Sequence, residues 1–442
     1  MTQLARKLRV TDYFTLGFGT MVGVGWLVVM DDWLERGGPL GAILGFAIGG
    51  TLLLPIGYIY GQLVAAMPDA AGEVAYTAKV FSRSVSYATG WMMLLAYWIV
   101  CPWEAVAIGR IAASIFPALN SVPLYQVAGK VVYAPHLVLG LGLTAGLVVM
   151  NYRGIRLSAT FQNWTTFLVL TLFVVFVSFG AARGSSRNFS PLFNHSPLLS
   201  ILLVLQIVPY FMTGWESVGK CAEEASPEFR ARGFFLAMLA AIVVAIVFYT
   251  VMIAGVTFAA PWRELPRNQF LPVVAFERAL GARWIVNLIL GAALLSLVKV
   301  FNGNLVAASR LLFAMGRRGL VSPQLGRVHP ENRTPAVALL WMGGATAAAM
   351  LLGQAILVPV TEVGSVAAAL GWLSACASFF MMRPNGAQRL LAAAGGVIAL
   401  AMILMKILPL VPGHFSGYHW AVMAVWCAIG WGIGKGQAQT TD

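Results

Sequence analysis

The sequence predicts an all-α integral membrane protein of about twelve transmembrane helices, and three observations carry that prediction. Of 442 residues, 59% are hydrophobic and only 10% charged, a balance that soluble globular chains do not keep. Apolar runs of about 20 residues, enough to cross roughly 30 Å of hydrocarbon, recur along nearly the whole chain. Two of these runs, the first and the sixth, are interrupted where a membrane helix is expected to be continuous.

In order, the runs are 12–35, 40–66, 85–115, 131–150, 157–182, 198–222, 233–259, 283–315, 335–353, 356–382, 388–410 and 417–434. The first carries Gly17, Gly19, Gly23 and Gly25; the sixth carries Thr213 and Gly214 followed by Trp215, Glu216 and Ser217. Glycine weakens a helix interior, and unpaired backbone groups survive in a membrane only where protein or a water-filled cavity surrounds them. Interruptions in runs one and six, five apart, predict two inverted halves of five helices, 12–182 and 198–382, with helices 388–434 appended. The residues left over, 1–11 and 435–442, read as terminal tails. Between the runs, Val74 to Ser86 reads as an amphipathic surface stretch, and Pro261 to Gly281, with Pro266 and Pro272, as a surface element on the opposite face, either a lid or a plain connecting loop.

The net charge of +13 follows the membrane rather than a nucleic acid. With the N-terminus inside, Arg6, Lys7, Arg9, Arg156, Lys220, Arg230, Arg232, Arg310 and Arg317 belong to a set roughly twice as large as the opposing one, which includes Arg36, Lys130, Arg263 and Arg267. Both termini are therefore expected in the cytoplasm, with the chain in the cytoplasmic membrane. The first run is too long for a removable leader and lacks a small-residue cleavage site, so it is expected to remain. The four cysteines and five histidines form no disulfide or metal-ligand spacing, and no cofactor is expected.

An ordered series of motifs now supports a family. It comprises Gly19 to Gly25, Pro68 to Glu73 with Tyr76, Asn151 to Gly154, Gly214 to Ser217 with Glu223, Glu224 and Pro227, Asn302 with Gly303, Arg310, Gly316, Gly319 and the Thr334, Pro335 pair. Over residues of about 10 to 385 the chain resembles the amino acid, polyamine and organocation transporter superfamily, and within it an amino acid permease. That resemblance implies a LeuT-like fold of inverted five-helix repeats.

An interrupted helix offers amide donors and carbonyl acceptors a few ångströms apart, and a zwitterion needs both. Amides near Val24, Gly25 and Trp26, at the positive end of a helix dipole, suit a carboxylate. Carbonyls near Tyr210, Phe211 and Thr213 suit an ammonium. Met21, Gly214, Trp215, Glu104 and Asn304 complete the expected substrate site, and the resemblance implies a gating role for Tyr210. At membrane depth, Glu104, Glu216 and Lys299 each cost at least about 2.5 kcal/mol, which makes them functional suspects. Glu216 reads either as a coupling carboxylate or as a cap on the broken helix. Glu104 reads as a substrate contact or as the ion-pair partner of Lys299. Many sodium-independent relatives carry a lysine in helix five; the position counted from Asn163 here is Val169. The resemblance instead sets Lys299 where sodium-coupled relatives supply a hydroxyl ligand, so its ammonium is expected to replace sodium and couple transport to protons. Glu223 and Glu224 are expected to form an inner gate with Arg230 and Arg232, and Lys406 and Glu362 to snorkel to the outer interface.

No nucleophile, metal or phosphate-loop spacing indicates an enzyme. The reading is a secondary active transporter moving an amino acid, amine-bearing and on one reading cationic, by alternating access. Its expected partners are a small amino acid or amine and the lipid bilayer, with no nucleic acid. A polyamine or other amine transporter or exchanger is the alternative within that class. Outside it stands a transporter-like sensor or partner-recruiting subunit.

Overall fold

A computed structural model describes residues 4–265, 270–281 and 283–438. The expectations at Pro266, at Arg267 and for the last residues of the C-terminal tail lie outside the described residues. The first run forms α1 (Val10–Met21) and α2 (Gly25–Val28), and α3 (Met30–Ala66) follows. α3 bends at Gly38, whose φ of 64° only glycine adopts without strain, so it is two helices meeting where runs one and two were expected to part. α4 (Glu73–Val80) covers most of the stretch expected on the surface. Residues Glu73 to Thr77 are buried, however, and α4 packs against α5 (Arg83–Trp98) and α16 (Leu357–Met381).

α5 runs into α6 (Val100–Ile115) through a junction at Ile99, three residues before Pro102, which has no amide to offer the carbonyl of Trp98. Then comes a feature the sequence reading lacked. Pro123–Val127 and Lys130–Tyr133 pair as an antiparallel hairpin, β1 and β2, turning at Ala128 and Gly129. α7 (Ala134–Arg153) and α8 (Ile155–Arg183) follow.

Run six becomes α9 (Pro197–Leu205), α10 (Val208–Phe211) and α11 (Ser217–Lys220). Beyond it lie α12 (Arg232–Ala259), α13 (Leu271–Leu280), α14 (Arg283–Arg317), α15 (Ala336–Ala349), α16, α17 (Gly386–Ile407) and α18 (Gly417–Ala438). α13 falls inside the expected lid and packs on α2, α12 and α14. Among the described residues, nine helical spans are long and apolar enough to cross a membrane. Runs one and six are not among these nine, because the breaks cut them short.

Helices in lipid gain little from apolar burial against one another, so close packing at small residues must hold them. α3 supplies such residues on two faces. Gly41, Gly45 and Gly49, at helical spacing, meet Ser200, Val204 and Val208 of run six, while Gly50, Gly57 and Gly61 meet Ile246, Ile242 and Phe235 of α12. A Cβ at Gly49 would stand 2.8 Å from Val208 Cγ1. This packing holds run six against α3.

Distant motif residues also meet. Asn151 of α7 donates to Asn302 of α14 at 2.8 Å, and Asn302 donates to Ser158 and Gln162 of α8 at 3.0 Å each. The N-terminal segment joins the same end of the bundle, where the Lys7 and Leu8 amides donate to Glu224 O and the Ser226 amide to Leu8 O. We call this end the N-terminal face.

Candidate functional site

At the first break the chain leaves the helix at Val22 (φ −94°, ψ 95°) and resumes it at Gly25. Five consecutive carbonyls, Gly19 to Gly23, lose helical partners there, and each receives a side-chain donor instead. Lys299 Nζ donates to Val22 O at 2.6 Å and to Gly19 O at 3.4 Å. Ser296 donates to Gly23 O at 2.8 Å, Asn304 to Thr20 O at 3.1 Å, and Tyr249 to Met21 O at 3.1 Å. Three of these four donors come from α14. The Lys299 ammonium also lies 5.0 Å from the centre of the Phe18 ring, so a π-face and carbonyl oxygens surround it. Among the described residues no carboxylate stands within 4.0 Å of it.

The second break turns at Gly214, whose φ of 122° is closed to L side chains and whose Cβ position lies 2.8 Å from the carbonyl carbon of Thr20. The two breaks therefore touch. Glu216, fully buried, accepts from the Thr213 hydroxyl at 2.5 Å and from the Gly214 amide at 3.0 Å. Its carboxylate thus holds the turn of the break and makes no side-chain cap bond to α11, so the backbone it satisfies lies before that helix. Tyr249 ties the breaks together by donating to Phe211 O as well, at 3.0 Å.

Between the breaks lies a cavity of about 20 Å³, room for about one water. Of the expected substrate residues, Met21, Gly25, Glu104, Tyr210, Phe211 and Thr213 line it. Val24, Trp26, Gly214, Trp215 and Asn304 do not. Trp26 packs on Phe248, and Trp215 turns away to Tyr60 and Trp372, with ring centres 5.0 and 6.1 Å apart. Asn304 braces the first break rather than facing the cavity. Val169 is simply buried. Sequence reasoning missed Tyr249, Ser296 and the lining residues Trp103 and Val300. A signal existed for one of them: Ser296, Lys299 and Gly303 recur at helical spacing on α14.

Glu104 reaches the cavity from α6. It interacts with the Val24 amide, and its Oε2 is buried without a hydrogen-bond partner. The expected ion pair with Lys299 is not formed, because the ammonium is turned to the carbonyls. Among the described residues the Gly23, Val24, Gly25 and Trp26 amides have no backbone acceptor, as the first turn after a break requires. The site thus presents amide donors and an acid side by side.

Ionic clusters close both ends. On the N-terminal face Glu224 pairs with Arg310 at 3.1 Å, both fully buried, and Glu223 pairs with Arg317. The partners are therefore arginines of α14, not Arg230 and Arg232. Arg318 adds a contact to Asp69 at 2.5 Å, and Lys220 forms a buried pair with Glu73, which also accepts from Tyr60 at 2.8 Å. At the opposite end Lys406 and Glu362 do not snorkel; both are buried and paired. Arg36 extends that cluster to Glu362 at 3.0 Å and to Asp32 at 2.8 Å.

The sequence profile of the family described as Amino acid permease matches residues 8–433. The chain is similar to the branched-chain amino acid permease of Bacillus subtilis, 26% identical with 84% of this chain and 79% of that one covered. It is similar to the aspartate-proton symporter of the same organism, 24% identical with 86% and 73% covered. It is also similar to the vacuolar cationic amino acid transporter 4 of Arabidopsis thaliana, 25% identical with 83% and 62% covered. The chain belongs to the amino acid permease family of the amino acid, polyamine and organocation superfamily, a multi-pass membrane protein whose work is transport and not enzymatic catalysis.

Proposed function

We propose that this chain is a secondary active transporter that carries an amine-bearing amino acid through the cavity between the two breaks, independently of sodium. The observation that carries the reading is the convergence of Met21, Gly25, Glu104, Tyr210, Phe211 and Thr213 on one cavity, with amides that lack a backbone acceptor among the described residues on one side and a buried carboxylate on another. Amides at the start of α2 suit the substrate carboxylate. Glu104 suits its ammonium or a cationic side chain.

The reading takes the fold as twelve spans arranged as two inverted repeats of five, 12–182 and 198–382, plus two. It places both termini in the cytoplasm of a cell whose cytoplasmic membrane holds the protein. In it Tyr210 and the lid containing α13 gate the opposite face, and Glu223 and Glu224 gate the N-terminal one. A cavity with room for one water, closed by ion clusters at both ends, fits an occluded stage of alternating access. Lys299 braces the first break where a sodium ion does so in coupled relatives, and its protonation links transport to protons.

Relatives named for branched-chain, acidic and cationic amino acids differ in side-chain charge, so Glu104 and not family membership supports the amine-bearing substrate. One observation favours a second reading. Glu104 already interacts with the Val24 amide, where a substrate carboxylate is placed, which suits an amine without one. Thermal shifts of the purified protein with the twenty amino acids and with putrescine separate the two, since a ligand raises apparent stability by mass action. A basic or amine-bearing amino acid giving the largest shift supports the first reading; putrescine alone supports the second; no shift from any, with no uptake into proteoliposomes, defeats both.

A further inference from the structure

A groove of about 830 Å³ opens on the N-terminal face between α1, α8 and α12, away from the cavity described above. Lys7, Arg9, Arg156, Arg230 and Arg232 line it against only Asp12 and Glu228. Among the described residues none of the five cations has a carboxylate within 4.0 Å, although Arg310, Arg317 and Arg318 on the same face are all paired. Asp12 offsets one of these charges without forming an ion pair with any of them. Its oxygens are taken by the Arg9 amide at 2.7 Å and by Asn163 Nδ2 at 2.6 Å. The groove therefore carries an excess of uncompensated positive charge.

The cationic end continues into apolar walls on the same helices. Along α8, Arg156, Thr160 and Asn163 lead at helical spacing to Phe167, which is 46% exposed. Along α12, Arg232 leads to Leu236, Val243 and Val247, all between 44% and 48% exposed. Positive charge at one end and exposed hydrocarbon below describe an amphipathic anion, not a soluble one. We propose that this groove binds an anionic phospholipid, its phosphate among Arg9, Arg156 and Arg232 and its acyl chains along Phe167 and Leu236. Basic pockets between membrane helices recognise such headgroups by charge. The floor of the groove is also the root of α1, where Thr15, Asn163 and Asp12 are hydrogen-bonded, so the bound lipid braces the helix that ends in the first break.

Native mass spectrometry of the purified protein, titrated with phosphatidylglycerol or phosphatidylcholine, tests this. Wild type should retain phosphatidylglycerol in preference to phosphatidylcholine. Arg156→Gln with Arg232→Gln should weaken that retention roughly thirtyfold, the attraction of two cations. Arg156→Lys with Arg232→Lys should keep most of it, which separates charge loss from misfolding, and Lys79→Gln with Arg327→Gln outside the groove should change little. Equal retention by the glutamine pair, or equal loss in the pair outside the groove, overturns the site. Displacement of the lipid by inorganic phosphate overturns its assignment to a lipid.

Discussion

Lys220 and Lys299 are both buried and both stand at a broken helix, yet they are held in opposite ways. Lys220 meets a carboxylate, Glu73, and its charge is cancelled where it lies. Lys299 meets instead the Val22 and Gly19 carbonyls and the Phe18 ring. A pair of opposite charges is a lock. Carbonyl oxygens converging on a cation are also what a protein offers a metal ion, and the contrast separates a lysine held by an opposite charge from one held by backbone carbonyls.

The largest difference should appear on truncation. Lys220→Met leaves Glu73 buried and charged, at a cost of about 3–5 kcal/mol, and adding Glu73→Gln should restore most of it. Thermal melting in detergent checks both variants. Lys299→Met strands no carboxylate within ion-pair range; Val22 O keeps the Ser296 hydroxyl at 3.3 Å, so the cost should be about 1–3 kcal/mol. Equal losses in the two single variants would break the comparison.

Between those effects lies the contact of the breaks. Gly214→Ala should cost about 1–3 kcal/mol from backbone strain alone, before its overlap with the main chain of Thr20. Gly25→Ala meets the ring edge of Phe211 at 2.6 Å, a side chain that can turn, so it should melt closer to wild type while losing substrate binding. Calorimetric titration beside the melting curve distinguishes the two outcomes. Tyr249→Phe, which removes one hydroxyl joining Met21 O to Phe211 O, should cost about 1–3 kcal/mol.

The smallest effect on stability should come from the half-exposed Arg317. Arg317→Ala should cost less than about 1 kcal/mol, since exposed pairs contribute little. It should nevertheless open the N-terminal face, so that a cysteine placed at Thr213 reacts faster with a membrane-impermeant thiol reagent from that side. Unchanged labelling would leave Glu223 and Arg317 without a gating role.

Helix positions and both breaks were legible in the sequence because length, hydropathy and glycine placement act locally. Partners were not. Glu224 lies six residues from Arg230 but pairs with Arg310, 86 positions away, and only the fold brings that arginine close. Lys406 read as a snorkelling end because Glu362, its partner, lies on another helix. Of the hairpin at 123–133, only residues 131–133 fell into the following apolar run and the rest was left between runs, its alternation too short to stand out. Trp215 sits within the break as read, but a break does not fix which way its side chain turns, and packing sends this one to Tyr60.

The central claim is that Lys299 replaces a sodium ion at the first break. Its most direct test is uptake of the ligand giving the largest thermal shift into proteoliposomes, with sodium or potassium outside and over a range of pH, for wild type and Lys299→Met. Wild-type uptake should vary with pH and ignore sodium, and the variant should lose most uptake together with its pH dependence. Uptake and pH dependence unchanged in the variant, or wild-type uptake that requires sodium, would contradict the account.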